Sequence, residues 1–158
     1  MIVISDTSPI TNLLRIGQLE LLQSVYGNII IPQSVYNELC QLEHQKEIID
    51  QLSWIQVSGI SNTEMLKQLL IDLDKGEAES IIIAMELKAD YLVIDEAKGR
   101  LIAESFGLKI VGLLGTLIKA KQDGILTAVK PLLDDLNQIG FRIHNDLYNH
   151  ILNISNEL

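Results

Sequence analysis

Five short apolar runs, rich in valine and isoleucine and separated by segments with helical signals, most restrict what this chain can become. They cover residues 2–5, 28–31, 54–57, 91–94 and 109–111. Runs of three or four residues are too short for helices and suit strands covered on both faces. Strands that alternate with helices form parallel sheets, because each return to the same edge needs a crossover. The expected fold is therefore α/β: a three-layer α/β/α arrangement around a mostly parallel sheet of about five short strands. No internal repeat, low-complexity tract or linker interrupts the 158 residues, which read as one domain over 1–158.

Helix boundaries follow from local signals. Ser8-Pro9 predicts an N-cap with proline at the first helical position. Pro32 opens a helix to about Ile48, and Ser61-Asn62-Thr63-Glu64 reads as a capping box for a helix to about Asp72. Further helices are expected over 75–88, 96–106, 113–122, 128–139 and 146–154. Gly112 and Gly115 are expected to permit a tight turn after the last strand, and Trp54 to be core or interface.

Two of the runs end in aspartate: Ile4-Ser5 meets Asp6, and Val93-Ile94 meets Asp95. In an open parallel sheet, ligands gather outside the carboxyl ends of the strands, and both residues occupy such positions. Either one alone also suits a turn or helix cap. Two glutamates stand near apolar helix faces. Glu38 flanks the stripe made by Val35, Leu39 and Leu42. Glu77 shares a face with Ile81 and Ala84, whereas Glu79 lies with Glu86 on what reads as the solvated face. Carboxylates crowded in a low-dielectric cleft repel one another, and a hard divalent cation, Mg²⁺ or Mn²⁺, relieves that repulsion through oxygen coordination. Such a site suits phosphodiester hydrolysis.

The net charge of −9 argues against a broad phosphate-binding surface, though not against local grip on a nucleic acid. It also suits a basic partner. Lys98 and Arg100 follow Asp95 closely and read either as phosphate-holding groups at a cleft mouth or as a solvated helix face. Lys119 and Lys121 read as solvated. His44, His144 and His150 match no metal-ligand spacing, so zinc is not expected. The single cysteine, Cys40, reads as a structural thiol in a reducing compartment. No signal-peptide pattern and no membrane-spanning stretch are seen, and a cytoplasmic protein starting at Met1 is expected. The 47% hydrophobic content suggests self-association.

Taken in order, the segments Val3-Ile4-Ser5-Asp6-Thr7-Ser8-Pro9, Ile31-Pro32-Gln33-Ser34-Val35-Tyr36-Asn37-Glu38-Leu39, Gly76-Glu77-Ala78-Glu79, Leu92-Val93-Ile94-Asp95-Glu96 and Gly112-Leu113-Leu114-Gly115-Thr116-Leu117 resemble the PIN-domain family. The likeness is greatest to the prokaryotic branch related to VapC toxins. It implies a metal-dependent endoribonuclease, the toxin of a type II toxin–antitoxin pair. It further implies an acidic quartet of Asp6, Glu38, Glu77 and Asp95 binding Mg²⁺ or Mn²⁺, with Thr7 or Ser8 assisting. Many relatives carry aspartate at the position of Glu77, and Glu79 is the alternative third ligand. RNA substrate, a homodimer or higher homo-oligomer and a small antitoxin protein are the implied partners; no membrane is. The competing reading is a catalytically silent PIN-like module that binds nucleic acid or protein. A receiver domain or a haloacid-dehalogenase-type phosphatase fits less well. The former needs an acidic pair where Ser5 precedes Asp6, and the latter an aspartate where Ser8 stands.

Overall fold

The computed structural model describes residues 1–158. Chain order is β1 (Val3–Ser5), α1 (Thr7–Arg15), α2 (Glu20–Tyr26), β2 (Ile29–Pro32), α3 (Gln33–Leu39), α4 (Glu43–Asp50), β3 (Ile55–Ser58), α5 (Thr63–Leu69), α6 (Lys75–Glu86), β4 (Tyr91–Val93), α7 (Ala97–Ser105), β5 (Ile110–Val111), α8 (Leu113–Gln122), α9 (Lys130–Gln138) and α10 (Asn145–Ile154). The five strands form one sheet in the order β3-β2-β1-β4-β5. All pairings are parallel, with Ile4 opposite both Ile30 and Leu92.

Strand alternation divides the core between the two faces. Val3, Ile29, Ile31 and Val93 join the larger apolar cluster with residues of α1 to α4 and α8 to α10. Ile4, Leu92 and Ile94 join a smaller cluster with α5, α6 and α7. The preference for right-handed crossovers explains the division. The chain steps from β1 to β3 in one direction, then crosses back to β4 and on to β5. Reversing direction requires the connecting helices to change face. The reversal makes the gap between β1 and β4 the switch point of the sheet, where both terminal aspartates lie.

The smaller layer is organised around α6, which is buried continuously from Gly76 to Ala84. Ile81, Ile82 and Ile83 are each at most 1% exposed. Burying one such side chain contributes about 1.5–3 kcal/mol. The first turn of α6 therefore sits on a rigid support.

Local signals misplaced several boundaries. The segment 33–50 is two helices rather than one, with Leu42 in extended backbone between them. An unbroken helix there would run roughly 25 Å beside a strand of roughly 13 Å. The break folds α4 back so that Ile49 is only 3% exposed. Helix α1 starts at Thr7 with Asp6 in the cap position, and Ser8 instead accepts a bond from Asn12 Nδ2 at 3.2 Å. No capping box forms at 61–64. Asn62 alone caps α5 by accepting from the Met65 amide at 3.0 Å, while Glu64 reaches Lys67 at the surface. Trp54 is buried in the larger cluster, just before β3. No helix is long and apolar enough to cross a membrane.

Candidate active site

A cavity of about 430 Å³ opens at the carboxyl ends of β1 and β4. Its ten lining residues include no hydrophobic one: Asp6, Thr7, Ser8, Thr11, Asn12, Glu38, Asp74, Glu77, Asp95 and Glu96. All four of the acids singled out from sequence are among them. They arrive from both layers, with Glu38 near the end of α3 on one face and Glu77 in the first turn of α6 on the other.

Asp6 is held by the β1–β4 junction, its amide donating to the Val93 carbonyl at 3.0 Å. It occupies the helix-cap position of α1 without using its side chain as a cap. The carboxyl group is therefore left for the cavity. Burial pushes its pKa up to about 7, against the lowering effect of the Thr7 amide; the charges of Asp74, Glu77 and Glu38 push it further up.

Glu77 is tied into a capping box with Asp74. The Asp74 amide donates to Glu77 Oε1 at 3.0 Å, and the Glu77 amide to Asp74 Oδ1 at 2.8 Å. Burial raises the Glu77 pKa, the Asp74 amide lowers it, and the Asp74 charge raises it. Asp95 is oriented by the Leu113 amide, which donates to its Oδ1 at 2.8 Å. Its Oδ2 is sealed from solvent and has no hydrogen-bond partner. Burial raises the Asp95 pKa, while the Leu113 amide and Arg100 lower it. Glu38, more exposed than the others, accepts from Thr7 Oγ1 at 2.8 Å.

The donor set fits a hard divalent cation in kind: carboxylate and hydroxyl oxygens, no sulfur, no imidazole, and one buried oxygen with nothing to satisfy it. It does not present a finished sphere, because no group of three or more acidic, cysteine or histidine side chains is gathered as a metal site. Crowded carboxylates without a counter-ion separate or take up protons, which is the direction of every shift described above.

Three expectations about surrounding residues are corrected. Glu79 is not on a solvated face. It is 7% exposed and accepts from the Ser34 amide at 3.2 Å and Ser34 Oγ at 2.6 Å. Helix α6 has no solvated face at that turn because the start of α3 covers it, so Glu79 holds two helices together and Glu77 is the acid that faces the cavity. Lys98 does not line the cavity and lies 3.5 Å from Asp72 on the surface, whereas Arg100 stands beside Asp95 and lowers its pKa. Gly112 does not serve a turn, since its backbone is ordinary and extended at φ −94°. A Cβ there would stand 2.7 Å from Arg100 Nη1 and 2.9 Å from Asp95 Oδ1, so glycine is needed for close approach.

Sequence reasoning missed Asp74, Glu96, Thr11 and Asn12. Asp74 had a readable signal, the Asp-x-x-Glu spacing of a capping box just before an apolar run. Thr11 and Asn12 stand one helical turn beyond Thr7 and Ser8, so they share the same face.

Among curated proteins and solved structures, nothing matches the chain. A family description does match it from residue 2 to residue 157, and it reads PIN domain. The agreement of that match with the five-stranded parallel sheet leads to one conclusion: the chain belongs to the PIN-domain family, whose members are generally nucleases that typically use divalent metals.

Proposed function

We propose that the acidic cavity hydrolyses RNA phosphodiester bonds with Mg²⁺ or Mn²⁺, and that the protein is the toxin half of a toxin–antitoxin pair. The observation that carries the hydrolytic reading is the wholly polar cavity at the switch point, lined by Asp6, Glu38, Glu77 and Asp95, the last of which has a buried oxygen, Oδ2, without a hydrogen-bond partner. A divalent cation there supplies the Lewis acidity that attack on a phosphodiester needs. Asp6, Glu38, Glu77 and Asp95 are the residues that would hold it. The protein's own framework prepares them: the Leu113 amide aims Asp95, the capping box aims Glu77, and Thr7 aims Glu38. Ser8, Thr11 and Asn12 offer hydroxyl and amide groups to a bound phosphate or ribose.

Cleavage of end-labelled single-stranded RNA, measured with Mn²⁺ and with EDTA, tests the hydrolytic reading. Activity is expected with Mn²⁺ and none with EDTA. Undiminished cleavage in EDTA overturns it. The toxin role is tested by expressing the protein alone and together with the product of a small neighbouring gene; relief of growth arrest by the second product is the expected result.

The second reading, a silent binding module, draws on the lack of any ready-made metal cluster. Calorimetric titration of Mn²⁺ separates the two, because a silent remnant would give no binding heat. We further propose that the chain self-associates, with exposed Ile71 and Leu101 as candidates for a covered surface. Light scattering that reads a strict monomer at tens of micromolar would refute this.

A further inference from the structure

Beside the acidic cavity lies a second hollow of about 660 Å³, and Asp95 lines both. The second hollow runs between the end of β5, α8 and α10. Eight of its fourteen lining residues are hydrophobic, against none of ten next door. Only one of its ionisable side chains, Asp95, is acidic. Of the three arginines in the chain, two line it, Arg100 and Arg142, and His150 lines it too. Neither arginine takes part in a salt bridge, although the chain carries a net charge of −9. Arg142 has no carboxylate partner and Arg100 has only Asp95 nearby, with which it forms no salt bridge, so both guanidiniums can still take an anion from outside, and their geometry matches a phosphate. Phe141 and the half-exposed Leu147 supply apolar wall.

We propose that this hollow is a substrate subsite that holds one nucleotide of a single-stranded RNA next to the bond being cut. The base lies against Phe141 and Leu147, and the backbone phosphate meets Arg142 and Arg100. The inference rests on reading the acidic cavity as a phosphodiesterase site. Three features favour a nucleotide over a protein segment. The volume lies in the range of small-molecule pockets rather than of grooves that take a whole helix. The shared wall at Asp95 places the hollow directly beside the place where a scissile phosphate would sit. A nucleotide also pairs one flat apolar group with one anion, the same combination that the hollow offers. The strand must be single, because a base can enter an apolar hollow only when unpaired and unstacked.

The test uses the full chain in Ca²⁺, with a fluorescein-labelled single-stranded RNA decamer and a duplex of the same sequence, read by anisotropy over a range of salt concentrations. Wild type is expected to prefer the single strand. Arg142→Ala should weaken single-strand binding about tenfold and lower the salt slope by about 0.7, the loss of one phosphate contact. His150→Ala should weaken it less. Arg142 and His150 are exposed, so both variants should keep the wild-type melting temperature. In parallel, hydrolysis of bis(p-nitrophenyl) phosphate with Mn²⁺ in wild type probes the acidic cavity with a substrate too small to fill both hollows. Loss of that hydrolysis in wild type would defeat the phosphodiesterase reading, while the anisotropy would still decide the subsite. The subsite proposal is overturned by absent RNA binding, by unchanged affinity and salt slope in Arg142→Ala, or by equal binding of the duplex. It is also overturned if Arg142→Ala spares RNA affinity but lowers that for a helical Leu/Glu peptide, which would make the hollow a protein-docking surface.

Discussion

On one side of Asp95 the cavity wall is carboxylate, hydroxyl and amide; on the other it is mostly aliphatic, with two arginines that form no salt bridge. The two hollows share a strand end, and the difference between them comes from what is folded against it. The acidic side is built from the segments that follow β1 and β4, the end of α3 and the start of α6. The apolar side is built from α8, α10 and the loop that carries Phe141 and Arg142. Asp95 joins the two. Its Oδ1 is anchored by the Leu113 amide at the start of α8, and its Oδ2 is left without a partner. One carboxylate that lines the first region is thus positioned by the second.

Substitution should separate the two sides most clearly in activity. Asp95→Asn and Asp6→Asn are expected to reduce Mn²⁺-dependent RNA cleavage by on the order of 10²–10³-fold, as when one stabilising group leaves a preorganised site. Arg142→Ala should cost about tenfold, expressed in KM. Single-turnover and steady-state assays on these variants break the comparison if Arg142→Ala lowers kcat as far as the aspartate variants do.

The acidic side should also be the pH-sensitive one. With Asp6 raised from 3.8 to about 7, the folded metal-free protein binds a proton that the unfolded chain releases across that interval. Its stability should be greatest below about pH 4 on this account and fall as pH rises towards 7. Melts in EDTA between pH 4.5 and 7.5 should show the decline in wild type and less of it in Asp6→Asn. Equal profiles would remove Asp6 as the source.

Metal should reverse the order of the two proteins. At pH 7.5 in EDTA, Asp6→Asn should melt no lower than wild type, because one like charge has gone. Mn²⁺ at about 100 times its dissociation constant should then stabilise wild type by roughly 2.7 kcal/mol and the variant much less. Equal Mn²⁺ shifts would mean that Asp6 is not a ligand.

Two neighbouring glutamates sharpen the picture at a smaller scale. Glu79→Ala should destabilise by about 1–3 kcal/mol, because Ser34 loses the acceptor of two bonds, with binding-site chemistry otherwise kept. Glu77→Gln should melt within about 1 kcal/mol of wild type yet lose metal binding. Denaturant titrations paired with Mn²⁺ calorimetry would expose an exchange of roles. The smallest effect is expected from Gly112→Ala. Its Cβ would press on Arg100 Nη1 and Asp95 Oδ1. Arg100 can swing away while Asp95 must shift against the Leu113 bond, so a few-fold loss of cleavage with little change in melting temperature is expected.

Local patterns carried far. The five strands appear within a residue or two of where the valine and isoleucine runs lie, since such short β-branched runs have few alternatives. Asp6 and Asp95 were legible because a strand end in a parallel sheet is a defined place. The reading of Glu79 failed because helical periodicity measures only the helix's own polarity. It cannot register that α3, more than forty residues earlier in the chain, will cover that turn and supply Ser34. The predicted helix through residues 33–48 failed for a related reason, since nothing local announces how much room lies above a short strand.

The sequence by itself determined the class of fold, the position of two aspartates at strand ends and the face on which Glu77 stands. Each depends on contacts within a few residues or on a repeat of two or 3.6. Tertiary structure alone decided that Asp74 would join the acidic cavity, that Glu79 would leave it for Ser34, and that Arg100 and Arg142 would line one hollow with Asp95. The energy of a charged side chain depends on what else is nearby once water is displaced. Those neighbours come from distant parts of the chain, brought together only when both faces of the sheet are packed.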